Sequence, residues 1–141
     1  MKRFSVLVLL CGLVGCSGKS STESGVVLFR YNQGSESTEQ REQGFLDAIA
    51  KHQVTHGQFV PVMFTRMLKL PESVRNSYDV SSLQRVMHAA APCPVDIKKQ
   101  MIDWWGPIVD EYYASSEAIG STLIPADEWL AHPGSVGRAM T

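Results

Sequence analysis

The sequence predicts an α/β fold, a partial parallel sheet with covering helices, on two observations. Short runs of apolar, β-forming residues recur along the chain, at residues 26–29, 86–87 and 108–109. Between these runs lie segments whose apolar residues recur at helical spacing. Because parallel strands need a crossover connection, this order of elements favours a parallel sheet, and ligands on such sheets gather at the carboxyl ends of the strands.

Composition limits the size of the fold and the kinds of partner. The chain has 141 residues and a formal net charge of -1, so one small domain is expected and no nucleic-acid footprint is indicated. Two of the three cysteines, Cys11 and Cys16, lie in the N-terminal segment. If Cys11 leaves with a cleaved leader and Cys16 carries lipid, Cys93 is the only free thiol, which predicts no internal disulfide; a buried, inert side chain is favoured for it.

The N-terminal residues resemble a bacterial lipoprotein export signal. Basic residues precede an apolar run at residues 4–14, which is too short to span a bilayer as a helix. Residues 13–16, with the letters LVGC, resemble the lipobox, and this implies a signal peptide over residues 1–15, a flexible tether over residues 16–24 and a membrane contact through a lipidated Cys16. The alternative is an apolar helix or strand of the fold, with that cysteine an ordinary small residue.

Residues 25–50 predict a strand followed by a helix. The apolar run at residues 26–29 leads into a turn-like segment, and Thr38 can cap a helix on which Arg41 and Phe45 occupy spaced positions. This segment resembles the start of the second lobe of periplasmic sugar-binding proteins of the ribose-binding type. The resemblance implies that Arg41 lies near a ligand cleft, and the alternative is a solvent-facing amphipathic helix.

The next elements are a strand after residue 54 and a helix that begins at Pro61, since proline fits the first helical turn. Met63, Met67 and Leu70 recur at helical spacing along this segment. Such a stripe predicts core packing rather than a ligand tunnel.

A further helix is predicted to begin at Pro94 and to end at the Gly-Pro pair at residues 106–107. Three apolar residues are expected on its inner face and two lysines on the opposite face: Ile97, Met101 and Trp104 inside, and Lys98 and Lys99 outside. Trp104 and Trp105 are interpreted as packing residues. Later in the chain, Gly134 and Gly137 predict a loop with positive φ.

Candidate ligand-binding residues lie on either side of that helix, where the carboxyl ends of the predicted strands are expected: the alanines at residues 89–91, and residues 113–117. The alanines at residues 89–91 remove bulk before Pro92, so a flat ligand such as a purine could approach the main chain there. Tyr113 offers an aromatic face, Ser116 a hydroxyl for a phosphate oxygen, and Glu117 a hard oxygen ligand for magnesium. The alternative is a buried strand end at the alanines and an exposed turn or helix cap at the Ser-Ser-Glu run.

Over about residues 54–138 the sequence resembles the adenylate-forming (AMP-binding) superfamily of acyl-CoA synthetases, luciferases and peptide-synthetase adenylation domains. The run YASSE at residues 113–117 stands where that family has Tyr-Gly-x-Thr-Glu. The resemblance implies that Tyr113 stacks on adenine, Ser116 holds the α-phosphate and Glu117 binds magnesium. The implied nucleotide-binding residues are Ala90, Ala91, Pro92, Tyr113 and Ser116, and the implied metal ligand is Glu117.

The resemblance also implies ATP and Mg²⁺ as cofactors, and a carboxylic acid and CoA as substrates. A complete enzyme of this kind joins the carboxylate to ATP, and CoA thiol then attacks the acyl-adenylate. Two departures from the motif concern the backbone and the phosphate: Ala114 stands in place of glycine, and Ser116 in place of threonine.

The family's phosphate loop, ribose-binding aspartate and small domain with the catalytic lysine have no counterpart in these 141 residues. We therefore expect residues 51–141 to be a partial AMP-binding domain that is inactive alone, with no catalytic residue assigned. The alternative is an exported lipoprotein fragment of a sugar-binding protein. A membrane-anchored location is expected if the leader is used, and a cytoplasmic one if the synthetase portion decides.

Overall fold

The computed structural model describes residues 6–10, 26–30, 37–115 and 120–140. In this described part of the chain, seven strands form one sheet. The strands are β1 (Val6–Leu10), β2 (Val26–Arg30), β3 (His56–Phe59), β4 (Arg85–His88), β5 (Val109–Ala114), β6 (Ser121–Ile124) and β7 (Arg138–Ala139). The helices are α1 (Thr38–His52), α2 (Pro61–Leu68), α3 (Glu72–Arg75), α4 (Val95–Trp105) and α5 (Ala126–Ala131).

The sheet is parallel across five strands and antiparallel at one edge. Its order is β2-β1-β3-β4-β5-β6-β7, and the four pairs that join the strands from β2 to β5 are all parallel. β6 pairs antiparallel with β5, and β7 antiparallel with β6. The structure confirms the predicted α/β class with a mostly parallel sheet and helices.

β1 lies inside the apolar run that resembles an export leader. It is paired with β2 on one side and β3 on the other, as in the alternative interpretation in which this run is a strand of the fold. Cys16 and the rest of residues 11–25 lie outside the described residues. Cleavage of a leader and lipidation of Cys16 therefore stay predictions.

α1 begins where a polar side chain caps its first turn. Ser37 Oγ accepts a hydrogen bond from the Gln40 N–H (3.2 Å), and Gln40 Oε1 accepts one from the Ser37 N–H (2.9 Å). The sequence prediction that Thr38 is the cap is therefore wrong by one residue, because Thr38 is already helical. Phe45 and Ile49 are buried, as their spacing predicts.

α2 carries much of the core. Its first helical residue is Pro61, as predicted, because a proline needs no hydrogen bond from its nitrogen there. Met63, Met67 and Leu70 are all buried, which confirms the core stripe. Fully burying a side chain of this size contributes about 1.5 to 3 kcal/mol to folding.

α4 follows Pro94 and ends at Gly106, which has a φ of 88°. Its buried stripe consists of Lys98, Met101, Ile102 and Trp105. The prediction that Lys98 faces away from the core is wrong. Lys98 lies three, four and seven residues before the other residues of the stripe, and this helical spacing places all four on one face. Trp104 is half-buried and lies under the Arg75 guanidinium, 5.4 Å from its carbon to the ring centroid, so both tryptophans pack as expected.

The antiparallel edge depends on glycine at one position. Gly137 has a φ of 87°, and a Cβ there would collide with the backbone of Leu123 on β6. Gly134 also has a positive φ, of 90°, so the predicted loop is confirmed. Among the described residues, no helix is long and apolar enough to cross a membrane.

Candidate functional site

The candidate site lies at the carboxyl ends of two neighbouring strands. β4 and β5 run parallel, with His88 beside Glu111 in the register. The turn at residues 89–92 follows β4 directly, and residues 113–114 end β5 with Ser115 after them, so both segments leave the sheet at the same edge. We call residues 89–92 and 113–115 the rim. The prediction that the alanines and Tyr113 lie at strand ends is confirmed.

The alanine turn presents its backbone to the outside. Ala89 is buried, whereas Ala90, Ala91 and Pro92 are exposed and carry little side-chain bulk. Ala90 has a φ of 72°, in the left-handed region that a Cβ disfavours. Such strained positions concentrate at ligand sites, where the surrounding structure holds them.

The other half of the rim offers a ring and a hydroxyl. Tyr113 is 60% exposed, although it is a large aromatic side chain. Tyr112 is engaged elsewhere, because its hydroxyl accepts a hydrogen bond of 2.6 Å from Gln58 Nε2. Ser115 Oγ is buried and has no hydrogen-bond partner among the described residues. Ser116 and Glu117, the predicted phosphate and magnesium contacts, lie outside the described residues.

A buried polar cluster lies next to the rim, and the sequence did not reveal it. Lys98 Nζ donates a hydrogen bond of 2.9 Å to Glu111 Oε2, and the lysine side chain is 0% exposed. The ammonium lies 4.6 Å from the ring centroid of Trp129, which closes the cluster from α5. His88 Nε2 approaches the same Glu111 oxygen at 3.4 Å. We call the first of these contacts the Lys98–Glu111 pair.

Burial decides the protonation of the histidine in this cluster. Burial, and then the charge of Lys98, lower the pKa of His88 to about 3. His88 is therefore neutral near pH 7, and its approach to Glu111 is not an ion pair. Burial also lowers the pKa of Lys98, while the hydrogen bond from Lys98 to Glu111 opposes that shift. The Phe64 ring meets His88 edge-on at 5.6 Å, which adds to the exclusion of water.

Asp110, the residue before Glu111, anchors α5 to the sheet. Its Oδ1 accepts a hydrogen bond of 2.9 Å from the Ala126 N–H at the start of that helix. Its Oδ2 lies 3.1 Å from Arg85 Nε on β4. This arrangement places α5 where its Trp129 can cover the Lys98 ammonium.

Metal and thiol chemistry have little support in the described part of the chain. Its His, Cys, Asp and Glu residues form no group of three or more that could hold a metal ion. Cys93 is half-buried, and burial followed by the charge of Glu111 raises its pKa to about 11. This agrees with the expectation of an inert thiol, because the reactive thiolate is scarce at neutral pH.

Residues 28–141 match the AMP-binding enzyme family, and the chain belongs to that family. The match extends beyond residues 54–138 and includes most of residues 25–50. The likeness of that N-terminal segment to sugar-binding proteins therefore stays a prediction.

Solved structures of adenylate-forming ligases share the fold. The amide bond synthetase McbA from Marinactinospora thermotolerans is 25% identical with a TM-score of 0.63, over 81% of this chain and 22% of that one. The N-terminal domain of FACL13 from Mycobacterium tuberculosis is 21% identical with a TM-score of 0.64, over 99% and 35%. The o-succinylbenzoate CoA synthetase MenE from Bacillus subtilis is 20% identical with a TM-score of 0.59, over 82% and 21%. The chain thus spans between about a fifth and a third of the structures it matches.

Proposed function

We propose that this chain is part of an acyl-CoA synthetase-like, AMP-forming ligase and that the rim contacts the adenine nucleotide. The observation that carries the proposal is the position of the alanine turn and the exposed Tyr113 at one edge of the sheet, in a chain of the AMP-binding enzyme family. A structural neighbour, the Bacillus subtilis synthetase, holds the acyl-adenylate intermediate OSB-AMP in its structure.

Three described residues are the proposed contacts of the adenine part of such a ligand. A purine can stack on the exposed face of Tyr113 while its edge meets backbone groups of Ala90 and Ala91, whose methyl side chains leave room. Ser115, whose hydroxyl has no hydrogen-bond partner among the described residues, lies one residue beyond β5. Ser116 and Glu117 stay the proposed contacts for the α-phosphate and for Mg²⁺, by the family motif.

When bound, ATP supplies the α-phosphate that a carboxylate attacks, and Mg²⁺ offsets the charge of the phosphates. The chain's own residues would hold and orient the base. One stacked ring and one charge-assisted hydrogen bond contribute about 1 to 3 kcal/mol each, while association costs about 4 kcal/mol or more. We therefore propose that these 141 residues alone bind ATP no more tightly than the millimolar range.

We further propose that they do not catalyse adenylation alone. The chain spans between about a fifth and a third of the structures it matches. Well-oriented reactants gain about 7 to 11 kcal/mol from proximity, and that gain is lost without enforced geometry. The large electrostatic contribution at the phosphate is reduced for the same reason.

Two measurements test the proposal. Saturation-transfer NMR with ATP and Mg²⁺ should show contact with the parent chain and with Tyr113→Phe, which keeps the aromatic face, but not with Tyr113→Ala. Equal signals from the alanine and phenylalanine variants would show that the aromatic ring at position 113 does not contact ATP. Pyrophosphate exchange into ATP with fatty acids should stay at background. Exchange that disappears in Glu117→Ala would show a working enzyme.

We also propose, from residues 13–16, that the chain is lipidated at Cys16 and membrane-associated when exported. An acyl chain contributes about 0.8 kcal/mol per buried methylene to membrane binding. Expression in a bacterium should give a product in the membrane fraction that Cys16→Ala releases. Full recovery of a soluble product that retains Met1 would contradict this.

A further inference from the structure

We propose that the Lys98–Glu111 pair is a positioning device, which fixes the alanine turn relative to Tyr113 and so sets the geometry of the rim. This inference deepens the proposed function, because it assigns residues that shape the nucleotide site without touching the nucleotide.

The first step is the place of Lys98 in the chain. It lies in the first turn of α4, and its N–H donates to the carbonyl oxygen of Pro94 at 3.0 Å. The hydrogen bond from Lys98 to Glu111 holds the α4 end of the segment that follows β4. His88 precedes the turn, and its Nε2 lies 3.4 Å from the same oxygen without a hydrogen bond among the described residues. The alanine turn therefore lies between a strand that is paired with β5 and a helix start that is bonded to Glu111.

The second step is the place of Glu111 on β5. It precedes Tyr113 by two residues in one strand, and side chains at i and i+2 lie on the same face. Glu111 is 8% exposed and Tyr113 is 60% exposed, so the strand passes from the interior to the rim between them. A side chain fixed at Glu111 therefore fixes the direction in which the strand presents the Tyr113 ring.

The third step is that the pair is a poor choice for stability alone. A buried ion pair costs much of its attraction in desolvation, and well-packed apolar replacements are often as stable or more so. A hydrogen bond differs from an apolar contact in that it has a required direction and distance. The 2.9 Å bond between Lys98 and Glu111, covered by Trp129, fixes α4 against β5 where an apolar contact could slide.

The experiment replaces both charges together. The double variant Lys98→Met with Glu111→Leu replaces both charged side chains by apolar ones of similar size, so no charge is left without its partner. We expect its urea midpoint to stay close to that of the parent, while NMR order parameters of the Ala90, Ala91 and Tyr113 amides fall from about 0.85 toward about 0.6. Amides in the middle of α1 should not change.

Ser82→Ala is the matched control. It removes a part-buried hydrogen bond of 2.9 Å from Ser82 Oγ to the Val54 carbonyl oxygen and leaves Lys98, Glu111 and Trp129 in place. We expect it to lower the urea midpoint and to leave the order parameters of the alanine turn at the parent values. A merely structural role for the pair would give the same pattern for both variants.

Every outcome of the test decides the inference. Unchanged order parameters in a folded double variant would overturn it, and so would a double variant that does not fold, because the pair would then hold the whole fold. ATP contact is measured separately on the parent. Loss of rim order without any ATP contact in the parent would keep the positioning role and contradict the proposed function.

Discussion

The two buried glutamates of the described residues, Glu111 and Glu42, have different surroundings. Glu111, on β5, accepts a hydrogen bond of 2.9 Å from the buried ammonium of Lys98. Glu42, on α1, is 1% exposed, and neither of its oxygens has a hydrogen-bond partner in the part of the chain that the structure describes. Burial raises the pKa of Glu42 to about 7, against the opposing charges of Arg66 and Arg41. At Glu42 the charges of the two arginines are therefore not enough to offset burial.

The largest effect on stability is expected from removing only one of the two charges of the Lys98–Glu111 pair. Lys98→Met leaves Glu111 as a buried carboxylate without its hydrogen-bond donor, and we expect a loss of about 3 to 5 kcal/mol in the free energy of unfolding. Urea denaturation measures this. The effect should exceed that of the double variant described above, and equal losses in the single and double variants would contradict the account of the pair.

Replacing the buried Glu42 by an uncharged residue is expected to raise the free energy of unfolding. The unfolded Glu42 loses its proton near pH 4.5, whereas the folded carboxyl keeps it until about pH 7. The stability that this group contributes is therefore complete below pH 4.5 and is lost as the pH rises through about 7. Glu42→Gln should stabilise the fold at pH 8 by about 1 to 3 kcal/mol, and by little at pH 4.5.

The control for that change is Asp47→Asn, an exposed carboxylate on the same helix. It should shift the unfolding free energy by less than about 0.5 kcal/mol at either pH. Comparing each variant with the parent at the same pH cancels the contribution of His88, which has the opposite sign. A gain from Glu42→Gln that does not depend on pH would rule out the titration of this carboxyl.

A smaller effect is expected at the rim. Ala90 has a φ of 72°, which glycine adopts without a steric penalty, so Ala90→Gly should stabilise the fold by up to about 1 kcal/mol. Ala91 does not have a positive φ, and Ala91→Gly should leave stability unchanged or lower it. A loss at both positions would show that Ala90 is not strained.

The smallest effect is expected from an exposed ion pair. Arg138 Nη2 lies 3.0 Å from Glu128 Oε1, but the arginine side chain is 85% exposed. Arg138→Gln should cost less than about 1 kcal/mol, and less still in high salt. A loss comparable with that of Lys98→Met would show that burial does not explain the expected difference in stability between the Arg138–Glu128 contact and the Lys98–Glu111 pair.

Periodicity predicted the fold well where one local signal sufficed. The strand before α2, the proline at its start and the stripe of Met63, Met67 and Leu70 could all be predicted, because each follows from spacing within one element. The carboxyl-end position of Tyr113 followed from the order of the elements. The exact cap of α1 did not, because Ser37 and Thr38 are both able to cap a helix.

The buried pair was missed because charge was taken as a sign of exposure. Lys98 lies three, four and seven residues before Met101, Ile102 and Trp105, so the helical period alone could have placed it inside. Glu111 follows the buried Val109 by two residues on β5, so the two side chains lie on the same face of the strand. Either position alone suggests an unfavourable buried charge, and only the sheet and helix together show that the two charges meet.

The most direct test of the nucleotide site is an ATP and Mg²⁺ titration of the whole chain, followed residue by residue in ¹H–¹⁵N NMR spectra. We predict shifts that begin at the Ala90, Ala91 and Tyr113 amides and saturate in the millimolar range, with the amides of Phe45 and Leu46 in α1 unchanged. Shifts centred elsewhere, or none at the rim up to about 10 mM ATP, would contradict the account.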